Sequence, residues 1–192
     1  MLDRKVYLVK ERVAVLKLTD TYDIHDAATG ETLGTAAENV SGLIKVMRLL
    51  VSKRLLPTTV DVKGKDGRLV MSITRTGLLR STVTVQNGRG QGLGSFKSKL
   101  LSIGGHFFVH DTAGRQVAEV KGDWKGWNFR FTTLDGTALG QVTRKWGGIG
   151  RELFTSADNY VIALDEKAEL PPETSALLIA AGLAIDIVYK EQ

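Results

Sequence analysis

Ser175 to Tyr189, SALLIAAGLAIDIVY, constrains the chain more than any other stretch. Fourteen of its fifteen residues are uncharged, Asp186 being the exception. On a helix Leu177, Leu178, Ile179, Leu183, Ile185, Ile187 and Val188 project in all directions and leave no polar face. A helix that is apolar on every side must be buried, in protein or in lipid. A bilayer span takes about 20 apolar residues, and a stretch this short reads as a core helix. Ala176, Ala180, Ala181, Gly182 and Ala184 keep it thin, which suits a narrow space. The pattern predicts a central helix over about 173–189 with the remaining chain wrapped around it. Pro171 and Pro172 suit its start, and Lys190 suits the negative end of its dipole.

What wraps it is a repeat. Glycines recur at Gly30, Gly67, Gly90, Gly114 and Gly136, the last three gaps being 23, 24 and 22 residues. An alternating apolar pair precedes each: Tyr22/Ile24, Val60/Val62, Val83/Val85, Phe107/Val109 and Phe129/Phe131. Four pairs stand seven and five residues before their glycine, and the first stands one residue further back. Period two predicts half-buried strands. Three residues after each glycine come Leu33, Val70, Leu93, Val117 and Leu139, and six after come Ala36, Ile73, Phe96, Val120 and Val142. An odd separation breaks strict alternation. The residue following the first of each pair is usually small (Gly34, Gly94, Ala118, Gly140, with Met71 the exception). Small residues at a change of phase predict a β-bulge or sharp bend. Each unit therefore reads as a hairpin with a bent second strand, closed by turns such as AATG, GKDG and NGRG. Five hairpins, an opening strand near Val6–Val9 or Val13–Leu18, and a late strand Tyr160–Leu164 give about twelve strands. The expected fold is mainly β: a closed antiparallel barrel in one domain spanning residues 1–192. Twelve strands enclose a lumen too wide for their own side chains to fill, and the apolar helix fills it.

The long gap between the first two hairpins holds an insertion over about 42–56, GLIKVMRLLVSKRLL, ended by Pro57. Lys45, Arg48 and Ser52 share one helical face, with Leu43, Val46, Met47, Leu50 and Val51 opposite. This predicts a short amphipathic basic helix, either plugging a barrel end or contacting an anionic surface. It opens a strongly basic block. Ser41 to Leu100 holds twelve Lys and Arg against Asp61 and Asp66, net +10, although the whole chain carries only +5. The remainder is therefore acidic, at −5. A block of one sign suits a polyanionic partner, such as anionic lipid, nucleic acid or a phosphorylated ligand.

The later part of the chain resembles a known family. RKWGGIGRELFTSADNYVIALDEKAELPPETSALLIAAGLAIDIVYKE, Arg144 to Glu191, resembles the C-terminal part of phospholipid scramblases. Phe107–Gly122 and Trp127–Trp146 resemble the LURP-one-related family. Both families fall in the Tubby C-terminal-like superfamily, and the resemblance implies a twelve-stranded barrel around a hydrophobic C-terminal helix. Scramblases carry a calcium segment before that helix, with acids at its first, third and twelfth positions. Here those positions are Ser156, Asp158 and Lys167, so calcium binding is not expected. The proline- and cysteine-rich N-terminal region of scramblases has no counterpart in these residues.

Other constellations are weaker. His25-Asp26 and His110-Asp111 end the first strands of two repeats, where Asp caps a turn unless adjacent hairpins pool the four for a metal. Asn87–Gly94, NGRGQGLG, has the glycines of a phosphate loop but runs into a strand, without the helix N-terminus that such a loop needs. Trp124, Trp127 and Trp146 among Lys121, Lys125, Arg144 and Lys145 either stack bases or pack at barrel ends. Asp186 is either solvated at the barrel mouth or buried beside an arginine. With no cysteine, thiol catalysis, disulfides and thiolate metal sites are excluded. No nucleophile-elbow, Walker or zincin motif occurs.

The expected function is that of a non-enzymatic, scramblase-like binding module without a cofactor or metal. It is expected to be cytoplasmic, with no transmembrane segment, and to meet anionic lipid headgroups at a membrane surface. Lys45, Arg48, Lys53 and Arg54 are the candidate headgroup ligands. The alternatives are a nucleic-acid-binding protein and a small-ligand carrier without scrambling activity.

Overall fold

The structure is a computed structural model that describes residues 1–12, 20–42, 44, 56–76, 82–98, 105–123, 125–148 and 159–185. Twelve strands follow one another: β1 Val6–Glu11, β2 Thr21–Asp26, β3 Thr32–Asn39, β4 Thr58–Gly64, β5 Leu69–Arg75, β6 Thr82–Asn87, β7 Gly92–Ser98, β8 Gly105–His110, β9 Gln116–Asp123, β10 Asn128–Thr132, β11 Ala138–Thr143 and β12 Asn159–Leu164. The helix α1, Pro172–Ala184, comes last. Each strand pairs antiparallel with the next, and β1 pairs with β12 to close the barrel. Closure leaves the twelve described strands without a free edge to seed association.

The hairpin repeat has a single structural cause. In all five hairpins the register slips by one residue near the turn. Ile24 faces Gly34 while His25 faces Thr32, so Leu33 is passed over. The same slip passes over Val70, Leu93, Val117 and Leu139. These bulged residues are the apolar positions three places after each turn glycine. The bulge shifts the strand's phase, so that they and the residue three further on both turn toward the lumen. The turn glycine itself is left-handed, with φ +76 at Gly90, for example. Such a residue closes a three-residue loop with the twist that the strands require. The first hairpin carries one more loop residue, Ala27, and so its apolar pair stands one place further back.

The lumen is filled by α1. Leu178, Ala180, Ala181, Leu183 and Ala184 are wholly buried, and they join the inward residues of the strands, including Tyr22, Ile73, Phe96, Phe129 and Ile162, in one core. The backbone bonds of α1 continue one residue further, the N–H of Ile185 donating to the Ala181 carbonyl. Pro171 caps the start and Pro172 occupies the first turn. Small residues are needed where the helix meets the wall. A Cβ on Gly182 would stand 2.7 Å from Ile162 Cδ1 and 2.8 Å from its Cγ1. The expected positions 186–189 of the helix, Asp186 among them, lie outside the described residues.

The seam between β1 and β12 is buried on both faces. Tyr160 and Ile162 point inward, while the outward Leu8, Val161 and Ala163 form a second apolar cluster with Ala27, flanked by Val6 and Trp146.

Candidate functional site

The two ends of the barrel differ in kind. At the end where α1 enters, the strand connections are tight turns. Met1, Leu2, Ala168 and Leu170 pack against the core there. Arg4 Nε reaches the buried Asp26 carboxylate at 2.8 Å, and Asp26 also accepts the N–H groups of Ala28 and Thr29. Lys5 Nζ donates to the carbonyls of Asp165 and Ala168. The opposite end, toward which the C-terminus of α1 points, receives the connections 12–20, 40–57, 76–81, 99–104, 124–127 and 144–158, all but 124–127 longer than those turns.

This parity sorts the charge. The connections at the far end hold twelve Lys and Arg against three Asp and Glu, net +9. Connections at the entry end, with residues 1–5, hold seven against eight. Lys45, Arg48, Lys53 and Arg54 all belong to the β3–β4 connection at the basic end, and all four lie outside the described residues. The start of that connection is described. Ser41 Oγ accepts the Ile44 N–H at 3.4 Å, as an N-cap does.

Around the basic rim the described side chains are well organised. Arg12 grips Asp23 through two bonds of 2.8 and 2.6 Å, which hold the Asp23 carboxyl below the usual carboxylate range. Arg144 lies over the Trp127 ring at 4.2 Å, a cation–π stack. Trp127 stands at φ +46 and packs edge-on to Phe129 and Tyr160. It is only 6% exposed, so its ring packs at the barrel end and is not offered to a base. Trp146 is half-buried against the outer wall, and Trp124 lies outside the described residues.

Topology separates the metal candidates. His25 is on β2 and His110 on β8, six strands apart around the wall. Each aspartate instead caps its own turn, Asp111 accepting the Arg115 N–H at 2.9 Å. The glycine-rich Asn87–Gly94 stretch is a turn followed by a bulge. Asn87 Oδ1 accepts the N–H groups of Arg89 and Gln91, and the register slips at Val85/Gln86. Among the described residues no cluster of three or more metal-ligating side chains occurs, and no helix is long and apolar enough to cross a membrane.

A family model described as Scramblase matches residues 11–192, which takes in eleven whole strands, the end of β1 and the central helix. The chain belongs to the Scramblase family. This scramblase-family chain is 27% identical over 88 residues to altered inheritance rate of mitochondria protein 25 of Saccharomyces cerevisiae. That match covers 38% of this chain and 27% of the yeast protein's length. Its barrel is similar to the X-ray structure of an Arabidopsis thaliana protein, with a TM-score of 0.53, 16% identity, and coverage of 94% of this chain and 91% of that one. At that identity the likeness is one of fold. Of the three positions laid on the scramblase calcium segment, Ser156 and Asp158 lie outside the described residues. Lys167 sits in the turn after β12 and donates its backbone N–H to Asp165.

Proposed function

We propose that this scramblase-family barrel is a non-enzymatic binding module that docks its basic end on anionic lipid headgroups, reversibly and from the cytoplasmic side. The observation that carries the reading is the segregation of charge: net +9 in the connections of one barrel end, against near balance at the other. A surface of one sign aligned with the barrel axis attracts an oppositely charged plane more effectively than the same charges scattered over the wall. The filled lumen agrees with this, because a barrel plugged by its own helix has no interior left for a large ligand. Lys45, Arg48, Lys53 and Arg54 are the residues assigned to the contact.

The test is co-sedimentation with vesicles of phosphatidylserine and phosphatidylcholine, against phosphatidylcholine alone, at low and raised salt. Each basic residue near such a surface contributes about 1 kcal/mol. Changing all four to Gln should weaken partitioning on the order of a thousandfold. Equal capture by neutral and anionic vesicles, or capture insensitive to salt, refutes the reading. Salt-sensitive retention of an oligonucleotide without vesicle capture would replace it with a nucleic-acid role.

A further inference from the structure

A cleft of about 440 Å³ opens on the outer wall of the barrel over β10, β11 and β12, away from the basic end's β3–β4 connection. Its floor is low because Gly136, Ala138, Gly140 and Ala163 carry at most a methyl group. Gly140 has no alternative: at φ +157 a Cβ would run into the Ala163 carbonyl oxygen. The bulge at Leu139 bends β11 at the same point, and Trp146 stands at the rim as a wall. The volume lies within the range of small-ligand sites.

Its two ends have opposite charge. Arg130 lies across β10 from Lys121 on one side and Gln141 on the other. Lys121 is committed to Glu119 at 2.9 Å, and Glu119 also holds His106 at 2.5 Å. Among the described residues Arg130 makes no ion pair and the Gln141 amide no hydrogen bond. At the other end, Asp165 follows β12 and is held by its N–H to the Leu139 carbonyl. Its Oδ1 accepts the Lys167 N–H at 2.8 Å. Lys5 Nζ bonds the Asp165 backbone carbonyl, and among the described residues the carboxylate has no ion-pair partner. Arg130 and Asp165 stand two strand spacings and two residues of register apart, about 12 Å between their backbones, a distance that the long Arg130 side chain shortens.

A guanidinium and an amide at one end, a carboxylate at the other and an apolar floor between them fit neither a simple anion nor a simple cation. We propose that this cleft binds a small zwitterion in which a phosphate and an ammonium are joined by a short linker, with Arg130 and Gln141 on the phosphate and Asp165 on the ammonium. The guanidinium fork suits phosphate geometry. Such a group occurs both as a lipid headgroup and as a free phosphoamine.

The test is amide-resolved NMR of the whole chain titrated with phosphoethanolamine, and separately with inorganic phosphate and ethanolamine at matched ionic strength. Phosphoethanolamine should shift the amides of Gly140, Gln141 and Asp165 saturably, and bind about tenfold or more tighter than either half. Arg130→Gln and Asp165→Asn should each cost about tenfold, as the loss of one charged contact does. Ala138→Leu, at an exposed position, should block the cleft with both charges intact. Phosphate binding as well as phosphoethanolamine, or an unchanged affinity in Arg130→Gln, overturns the proposal. Dihexanoyl phosphatidylethanolamine, kept monomeric, names the source: tighter binding than the free headgroup assigns the site to lipid, and weaker binding assigns it to a free phosphoamine. Vesicle capture by the basic end does not enter this readout, so either proposal can fail alone.

Discussion

Gly182→Ala tests whether α1 is threaded through the lumen as the packing requires. On an exposed helix the change would stabilise by about 1 kcal/mol. Here the new methyl would meet three atoms of Ile162, Cδ1 at 2.7 Å, Cγ1 at 2.8 Å and Cγ2 at 3.1 Å. Ile162 is β-branched and wholly buried, so its side chain has few other rotamers to take. Overpacking of this kind costs about 1–3 kcal/mol, which outweighs the propensity gain. The expected net loss is about 1 kcal/mol. Ile162→Ala removes all three opposing atoms, at a cavity cost of about 2–5 kcal/mol. In that background Gly182→Ala should stabilise by about 1 kcal/mol, for a coupling of about 2 kcal/mol. In a domain of this size 1 kcal/mol moves Tm by about 2–4 °C. Calorimetry on the four proteins should therefore show Gly182→Ala lowering Tm when Ile162 is intact and raising it in the Ile162→Ala background. A rise of equal size in both backgrounds would refute the contact and the helix position that it implies.

Leu178→Asp and Leu183→Asp should each abolish soluble expression, since both sites are wholly buried and offer an unpaired charge no partner. Gly94→Ala should cost about 2–4 kcal/mol: its Cβ would strike the His110 carbonyl oxygen, which cannot move, and stand 3.0 Å from both methyls of Leu177. The Tyr7 phenol, which accepts the Arg4 N–H and donates to the Met1 carbonyl, is pushed up to about 12 by burial. A raised folded value gives stability that is complete below pH 10 and lost as pH rises through 12. Tyr7→Phe should thus flatten the alkaline limb of a chemical-denaturation series. Asp23, lowered by Arg12, works in the other direction: its contribution is present above the ordinary value of 3.8 and lost as pH falls below it. Asp23→Asn should therefore flatten the acid limb.

Fold and site were not equally legible in the sequence. Leu33, Val70, Leu93, Val117 and Leu139 stood three residues after their glycines, and the odd step to the next inward residue required a bulge before any strand pairing was known. Each hairpin solves its own local problem, so its residues carry the whole signal. The terminal helix was legible for a similar reason, because a stretch apolar on every side has no choice but burial. The charged end was half legible. The basic block was visible as composition, but only the up-and-down order of the strands shows that the β3–β4, β5–β6, β7–β8 and β11–β12 connections join strands at one end. The outer-wall cleft was not legible at all. Arg130, Gln141, Trp146 and Asp165 come together through register across three strands, and none is unusual in its own neighbourhood. Of the two readings open for the tryptophans, Trp127 takes the packed one, since despite its lysine-rich flanks it is spent on Phe129, Tyr160 and Arg144.

The order of elements along the chain also sets a timetable. All twelve strands are synthesised before the helix that fills them, and the closing pair joins β1 to β12, with Lys10 opposite Asn159. Contacts of such long sequence separation form slowly. Until Pro172 and the residues after it emerge, a nascent chain has inward faces of Phe96, Phe107, Phe129 and Phe131 with nothing to pack against. Such a chain is exposed to aggregation and to chaperone capture for most of its synthesis. Emergence of α1, rather than the completion of any hairpin, is then the event that commits the barrel to its native packing.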